Sequence, residues 1–181
     1  MNLPNLITIG RLLSVPLAIW LVLSGAYTAS FFLFLAAGLS DAIDGFIAKH
    51  FDQCSSLGAI LDPLADKCLL VGMFITLGLA GHLPDWLVIL AVFRDLLIIG
   101  GSLLMLSLSL PIRWKPLAIS KLNTVVQIVL VGWTLARLGL GFGDHGIGWV
   151  LVYVTAATTV ISGGAYLVRW ARALAGAELN P

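Results

Sequence analysis

Charge is what this chain has least of. Lys, Arg, Asp and Glu supply 10% of its 181 residues against 60% hydrophobic ones, and mean hydropathy is +1.04. A soluble domain carries about a quarter charged residues, so a water-facing globule is excluded and a polytopic helical membrane protein is expected. The net charge of +1 selects no partner, and no nucleic-acid partner is expected. Cysteine is nearly absent: Cys54 and Cys68 show no metal-ligand spacing, and a disulfide is not expected. His50, His82 and His145 are scattered and form no metal set. No Pro/Ser-rich linker or charge block divides the chain, so residues 1–181 are read as one domain. No basic segment precedes the first apolar run and no clear small-residue cleavage site follows it, so that run is expected to be retained. The start at Met1 without a targeting extension favours a bacterial inner membrane over a mitochondrial precursor.

What the chain does have is hydrophobic runs. They predict six transmembrane helices, roughly 6–24, 29–48, 57–80, 85–109, 118–138 and 147–168, with a short amphipathic segment at the N-terminus. The breaks are SGAYTAS, HFDQCSS, AGHLPD, LPIRWKP and LGLGFGDHGIG. Lys49, Arg113, Lys115, Lys121, Arg169 and Arg172 fall on one side, where basic loops mark the cytoplasm; both termini and the acidic turn share that side. Trp86, Trp114, Trp149 and Trp170 lie near span ends, as in an aromatic belt. Gly100 with Gly101, Gly132 with Ala136, and Gly163 with Gly164 are expected to permit close helix packing. In the N-terminal segment Asn5, Thr8 and Arg11 recur every three residues; taken alone, they fit a capped interfacial helix with Arg11 at the headgroups.

Residues 40–67 hold five of the nine acidic residues. A charged side chain at bilayer depth costs at least about 2.5 kcal/mol, and carboxylates crowded together repel one another, so a cation is the economical explanation. Asp41, Asp44, Gly45 and Ala48 fall on one stripe of a helix; Gly58, Asp62 and Asp66 follow at intervals of four on a second. Ser55 or Ser56 can cap the second helix. Two helices with two carboxylates apiece suit Mg2+ or Mn2+, as one ion or a pair. The small residues beside the acids leave room for something flat, such as a nucleotide.

The run Asp41-x2-Asp44-Gly45-x2-Ala48-Lys49-x8-Gly58-x3-Asp62-x3-Asp66 resembles the signature of the CDP-alcohol phosphotransferase family at every one of eight positions except Lys49, where the family usually has Arg. That exchange keeps the charge and loses the bidentate fork. The resemblance implies an enzyme that joins a CDP-activated lipid to an alcohol. It makes Asp41, Asp44, Asp62 and Asp66 metal ligands, with the last aspartate, Asp66, also the base. It sets Gly45, Ala48, Lys49 and Gly58 against the nucleotide, with Asn5 and Thr8 beside it, and implies a homodimer.

A second stretch, Arg113-Trp-Lys115-Pro-Leu-Ala-Ile-Ser120-Lys121-Leu-Asn123-Thr124-Val-Val-Gln127, enters the fifth span. By itself it reads as a basic anchor for anionic headgroups or as a cradle for lipid phosphates. Arg94-Asp95, about ten residues into the fourth span, is a buried ion pair or part of a polar cavity. Within the family these residues resemble the eukaryotic-type cardiolipin synthases. The phosphatidylglycerophosphate synthases typically carry Arg-Glu at the pair and a second Lys where Asn123 stands. The resemblance therefore implies CDP-diacylglycerol as donor and phosphatidylglycerol as acceptor. Arg11, Arg94, Arg113, Lys115, Lys121 and Asn123 are the candidates to hold lipid phosphate and acceptor. A glycerol 3-phosphate-using sister enzyme is the alternative. A cation or proton transporter would also account for intramembrane aspartates, but it leaves Gly45, Ala48 and Gly58 unexplained.

Overall fold

The computed structural model describes residues 3–51, 58–107 and 117–178, with side chains over 10–40, 67–107 and 117–175. It contains six helices and, among the described residues, no strand: α1 (Leu3–Leu23), α2 (Tyr27–Phe51), α3 (Gly58–Leu79), α4 (Asp85–Ser107), α5 (Ala118–Leu140) and α6 (Ile147–Glu178). The N-terminal amphipathic segment is not a separate element, because α1 runs on through it without a break. The sixth helix extends ten residues past the expected boundary, since nothing between Arg169 and Glu178 interrupts a helical backbone.

Three helix ends follow from glycine. Gly25, Gly81 and Gly141 adopt φ of 75°, 74° and 74°, a left-handed conformation that a side chain would strain. At Gly25 the Ala26 amide donates to Leu21 O (2.8 Å) and the Gly25 amide to Val22 O (3.0 Å), the paired bonds of a Schellman cap. His82 and Gly81 repeat the arrangement on Leu77 and Gly78, and Gly141 closes α5 with one bond to Arg137 O (3.1 Å).

The chain forms two compact units, residues 1–83 with 131–145, and residues 84–130 with 146–181. In the first, α1 packs against α2 and α3 around Ala18, Val22, Phe34, Met73, Phe74 and Leu77. Gly72 lets α3 approach α1: a Cβ there would sit 3.2 Å from Ile19 Cδ1. The C-terminal half of α5 joins this unit through Gly139, whose carbonyl accepts a 2.6 Å bond from the Thr28 hydroxyl. In the second unit α4 packs against α6, and Leu87, Ala91, Met105 and Leu130 are buried. Of the small residues expected at close contacts, Gly101 lies against the Trp170 ring, while nothing stands within 4 Å of a Cβ at Gly100 or Gly164.

The outward surface is apolar: Leu13, Trp20, Leu79, Ile89, Phe93, Leu103 and Val150 are each at least 60% exposed. Water would not tolerate so many large exposed hydrophobes, whereas lipid does, so this is a membrane protein. The helices α4, α5 and α6 are long and apolar enough to cross a bilayer, and α1, α2 and α3 contribute shorter apolar stretches within the described residues.

Gly139 and Gly164 predict opposite outcomes. A methyl at Gly139 would meet the Thr28 backbone nitrogen at 2.6 Å and Cα at 2.7 Å, atoms that cannot swing aside. Gly139→Ala is expected to destabilise by about 1–3 kcal/mol, as overpacking does. Gly164→Ala, in open helical surface, should be neutral or stabilise by up to about 1 kcal/mol through helix propensity. Thermal unfolding of both in detergent checks the pair.

His82, in the α3–α4 loop, is half-buried; its Nε2 lies 2.9 Å from the Tyr27 hydroxyl, and the rings meet edge to face at 5.2 Å. Burial, and secondarily the Arg137 charge, lower its pKa from the ordinary 6.5. The neutral ring and the Tyr27 hydroxyl then share one hydrogen bond, whose direction follows the ring's tautomer. On acidification the unfolded chain binds a proton at 6.5 that the folded protein resists, so stability falls as pH drops through 6.5 towards the lower folded value. His82→Gln should flatten that part of a melting-temperature profile against pH.

Candidate functional site

The backbone carries the acidic signature as the spacing requires. Asp41, Asp44, Gly45, Ala48 and Lys49 lie in the last three turns of α2. Gly58 opens α3, with Asp62 and Asp66 one and two turns on. Intervals of three and four put each set on a single helix face. The side chains of these residues, and the turn with Ser55, Ser56 and Cys54, lie outside the described residues. Their donor set is nonetheless four aspartates, all hard oxygen, which fits Mg2+ or Mn2+ and would not favour a softer ion.

In α1, Asn5, Thr8 and Arg11 occupy successive turns, with the first two side chains outside the described residues. Arg11 is 3% exposed, so it does not lie out at the headgroups as a free interfacial helix would hold it. Arg113 and Lys115 fall outside the described residues, and Lys121 is exposed in the first turn of α5.

The second unit contains a buried polar cluster. Arg94 (3% exposed) directs Nη1 to Asp95 Oδ1 at 2.7 Å, Nη2 to Ser120 Oγ at 2.6 Å, and both Nε and Nη2 to Ser162 Oγ. One turn along α5 from Ser120, Asn123 is wholly buried, its amide oxygen 2.9 Å from both Thr158 and Thr159 hydroxyls. Gln127, a further turn on, is 2% exposed. Arg94 and Asn123 stand out in the sequence, whereas Thr155, Thr158, Thr159 and Ser162 do so only as a pattern. Their spacing of three, one and three makes a polar stripe on an otherwise apolar α6, and that was the available signal.

Chemically, the two regions differ. The α2–α3 set is four carboxylates by sequence, the kind of donor a hard cation takes. The α4–α5–α6 cluster has its one described cation matched by an adjacent carboxylate, and otherwise offers neutral amides and hydroxyls.

The family described as CDP-alcohol phosphatidyltransferase matches residues 1–161, a span that runs through both units. A cardiolipin synthase (CMP-forming)/mitochondrial hydrolase fusion protein of Schizosaccharomyces pombe is 35% identical over 92% of this chain and 31% of its own length. A chloroplastic CDP-diacylglycerol–glycerol-3-phosphate 3-phosphatidyltransferase of Oryza sativa is also 35% identical, over 94% of the chain and 57% of its own. The cardiolipin synthase (CMP-forming) of Rattus norvegicus is 34% identical over 91% and 60%. The chain thus spans less than two thirds of each of these relatives. With the eight-position signature lying inside a match to residues 1–161, the chain belongs to the CDP-alcohol phosphatidyltransferase family.

Proposed function

We propose that the chain transfers the phosphatidyl group of CDP-diacylglycerol to phosphatidylglycerol, releasing CMP and forming cardiolipin. The family and the acidic signature support the transferase chemistry. The acceptor rests on one observation: the site of the second lysine in glycerol 3-phosphate-using enzymes is here Asn123, a wholly buried neutral amide. A buried position without a cation favours an acceptor with less phosphate charge.

In the reaction, the acceptor hydroxyl oxygen attacks the lipid-side phosphorus; a new P–O bond forms as the P–O bond to CMP breaks. Asp66 takes the hydroxyl proton, and CMP leaves with the bonding electrons. Asp41, Asp44, Asp62 and Asp66 would hold the divalent ions, Mg2+ or Mn2+, which when bound neutralise the pyrophosphate. Gly45, Ala48 and Gly58 leave the helix backbone open to cytidine and ribose, with Asn5 and Thr8 beside them, and Lys49 meets a phosphate as a point charge. Arg11, Arg113, Lys115 and Lys121 are the cations for lipid phosphate. Arg94 is engaged by Asp95, Ser120 and Ser162, so direct contact with the acceptor would require it to exchange one of these partners.

By the charge count, six spans place the termini and acidic turn in the cytoplasm, and residues 1–181 act as one catalytic domain, paired as a homodimer by analogy with the family. The test is CMP release by purified protein given CDP-diacylglycerol and Mg2+ or Mn2+, with phosphatidylglycerol and glycerol 3-phosphate offered separately. A four-chain lipid product only with phosphatidylglycerol establishes the reading. Release with glycerol 3-phosphate instead would establish the sister activity, the one for which the rice relative is named, at the same 35% identity.

A further inference from the structure

Two buried polar atoms on neighbouring turns of α5 have no hydrogen-bond partner: Asn123 Nδ2 and Gln127 Oε1. A buried amide left unpaired costs about 1–3 kcal/mol, so two of them together call for an explanation. The threonine geometry sharpens it. Thr159 Oγ1 lies 2.7 Å from Thr155 O and 2.9 Å from the Asn123 amide; Thr158 Oγ1 lies 3.0 Å from Val154 O and from Thr155 O and 2.9 Å from the same amide atom. Each hydroxyl has one hydrogen, and the helix carbonyls can only accept. If both hydroxyls donate to carbonyls, the Asn123 atom facing them must be its NH2, and the oxygen turns away. The unpartnered atoms are then two carbonyl oxygens, Asn123 Oδ1 and Gln127 Oε1, about one helical turn apart.

On that assignment two neutral acceptors stand one turn apart on the same face of α5, and such acceptors want hydroxyl hydrogens. They would repel a phosphate oxygen, and the described cation nearby is already matched by Asp95. We infer that Asn123 and Gln127 form a two-amide clamp for the non-reacting hydroxyl of a glycerol headgroup. This rests on the phosphatidylglycerol reading above. That acceptor carries two hydroxyls, the terminal one that attacks and the middle one, and the clamp takes the second. At 0% and 2% exposure the pair is covered, so the headgroup enters only as the covering side chains part. Gln127 is thereby added as a specificity-determining residue.

The probe is phosphatidyl-1,3-propanediol, which keeps the terminal hydroxyl and lacks the middle one. Wild-type protein should prefer phosphatidylglycerol over it by at least about tenfold in kcat/KM, because a site built around a hydroxyl rejects the analogue without it. Gln127→Met should shrink that ratio by at least about threefold, and Asn123→Leu with Gln127→Met should bring it close to one. Gln127→Met replaces a side chain whose buried oxygen is unpaired by an apolar one of similar size, so it should fold as well as wild type. In the double variant the Thr158 and Thr159 hydroxyls lose the Asn123 amide but keep their helix carbonyl acceptors. A structural water bridging the amides would move melting temperature and leave the ratio alone, which would overturn the clamp while keeping the acceptor reading. No CMP release with phosphatidylglycerol by wild type would overturn both.

Discussion

Asp66→Asn is expected to lower CMP release by about 10²–10⁴-fold, the span that a positioned general base contributes, with the protein still folded and still binding CDP-diacylglycerol. In barrier terms that is about 3–5 kcal/mol. Helix α3 carries Gly58, Asp62 and Asp66 on one stripe, with Asp66 at the end furthest from the start of the helix. Asparagine keeps the size and one oxygen of the side chain but cannot accept a proton near neutral pH. A loss of turnover therefore tests proton removal, provided donor binding survives. Asp62→Asn supplies the contrast: a residue whose work is holding the cation should lose affinity for Mg2+ or Mn2+, and rising metal concentration should restore part of its rate. The same titration should leave Asp66→Asn slow. Near-wild-type turnover by Asp66→Asn would remove it as the base.

Much of the helical fold is legible in the sequence, for local reasons. Gly25, Gly81 and Gly141 sit inside three of the expected breaks, and each ends its helix because only a left-handed residue closes the last carbonyls. The spacing of the aspartates needed nothing beyond the pitch of a helix. What could not be read was long-range. The step from Asn5 to the first apolar span contains no breaker, so a separate segment and a continuous helix fit the sequence equally, and α1 is the continuous one. Gly100 and Gly101 are equivalent in sequence, yet only Gly101 meets Trp170, a residue 69 positions away. Arg94 is the sharpest case. Its depth in a hydrophobic run announced a buried charge, but a sequence cannot say that Ser120 and Ser162, from two other helices, would bracket it.

That bracket makes Arg94→Met the largest expected change in stability. The substitution deprives the Asp95 carboxylate, 8% exposed, of its guanidinium and leaves Ser120 and Ser162 without their shared donor. Removing one member of a buried pair costs about 3–5 kcal/mol, because the remaining charge stays desolvated. Removing both should not. Arg94→Met with Asp95→Leu is expected to recover most of the loss, since an apolar pair of similar volume has no charge to desolvate. Arg94→Lys should recover little, because three acceptors on three helices lie in different directions, and an ammonium lacks the planar fork that reaches them together. Chemical unfolding in a fixed detergent measures all three. A double variant as unstable as Arg94→Met would show that the hydroxyl bonds, and not the ion pair, carry the stability. Kinetics of the double variant then separate structure from function. If Arg94 also meets the acceptor phosphate, KM for phosphatidylglycerol stays high after stability returns; if it only braces α4 against α5 and α6, KM returns with the fold.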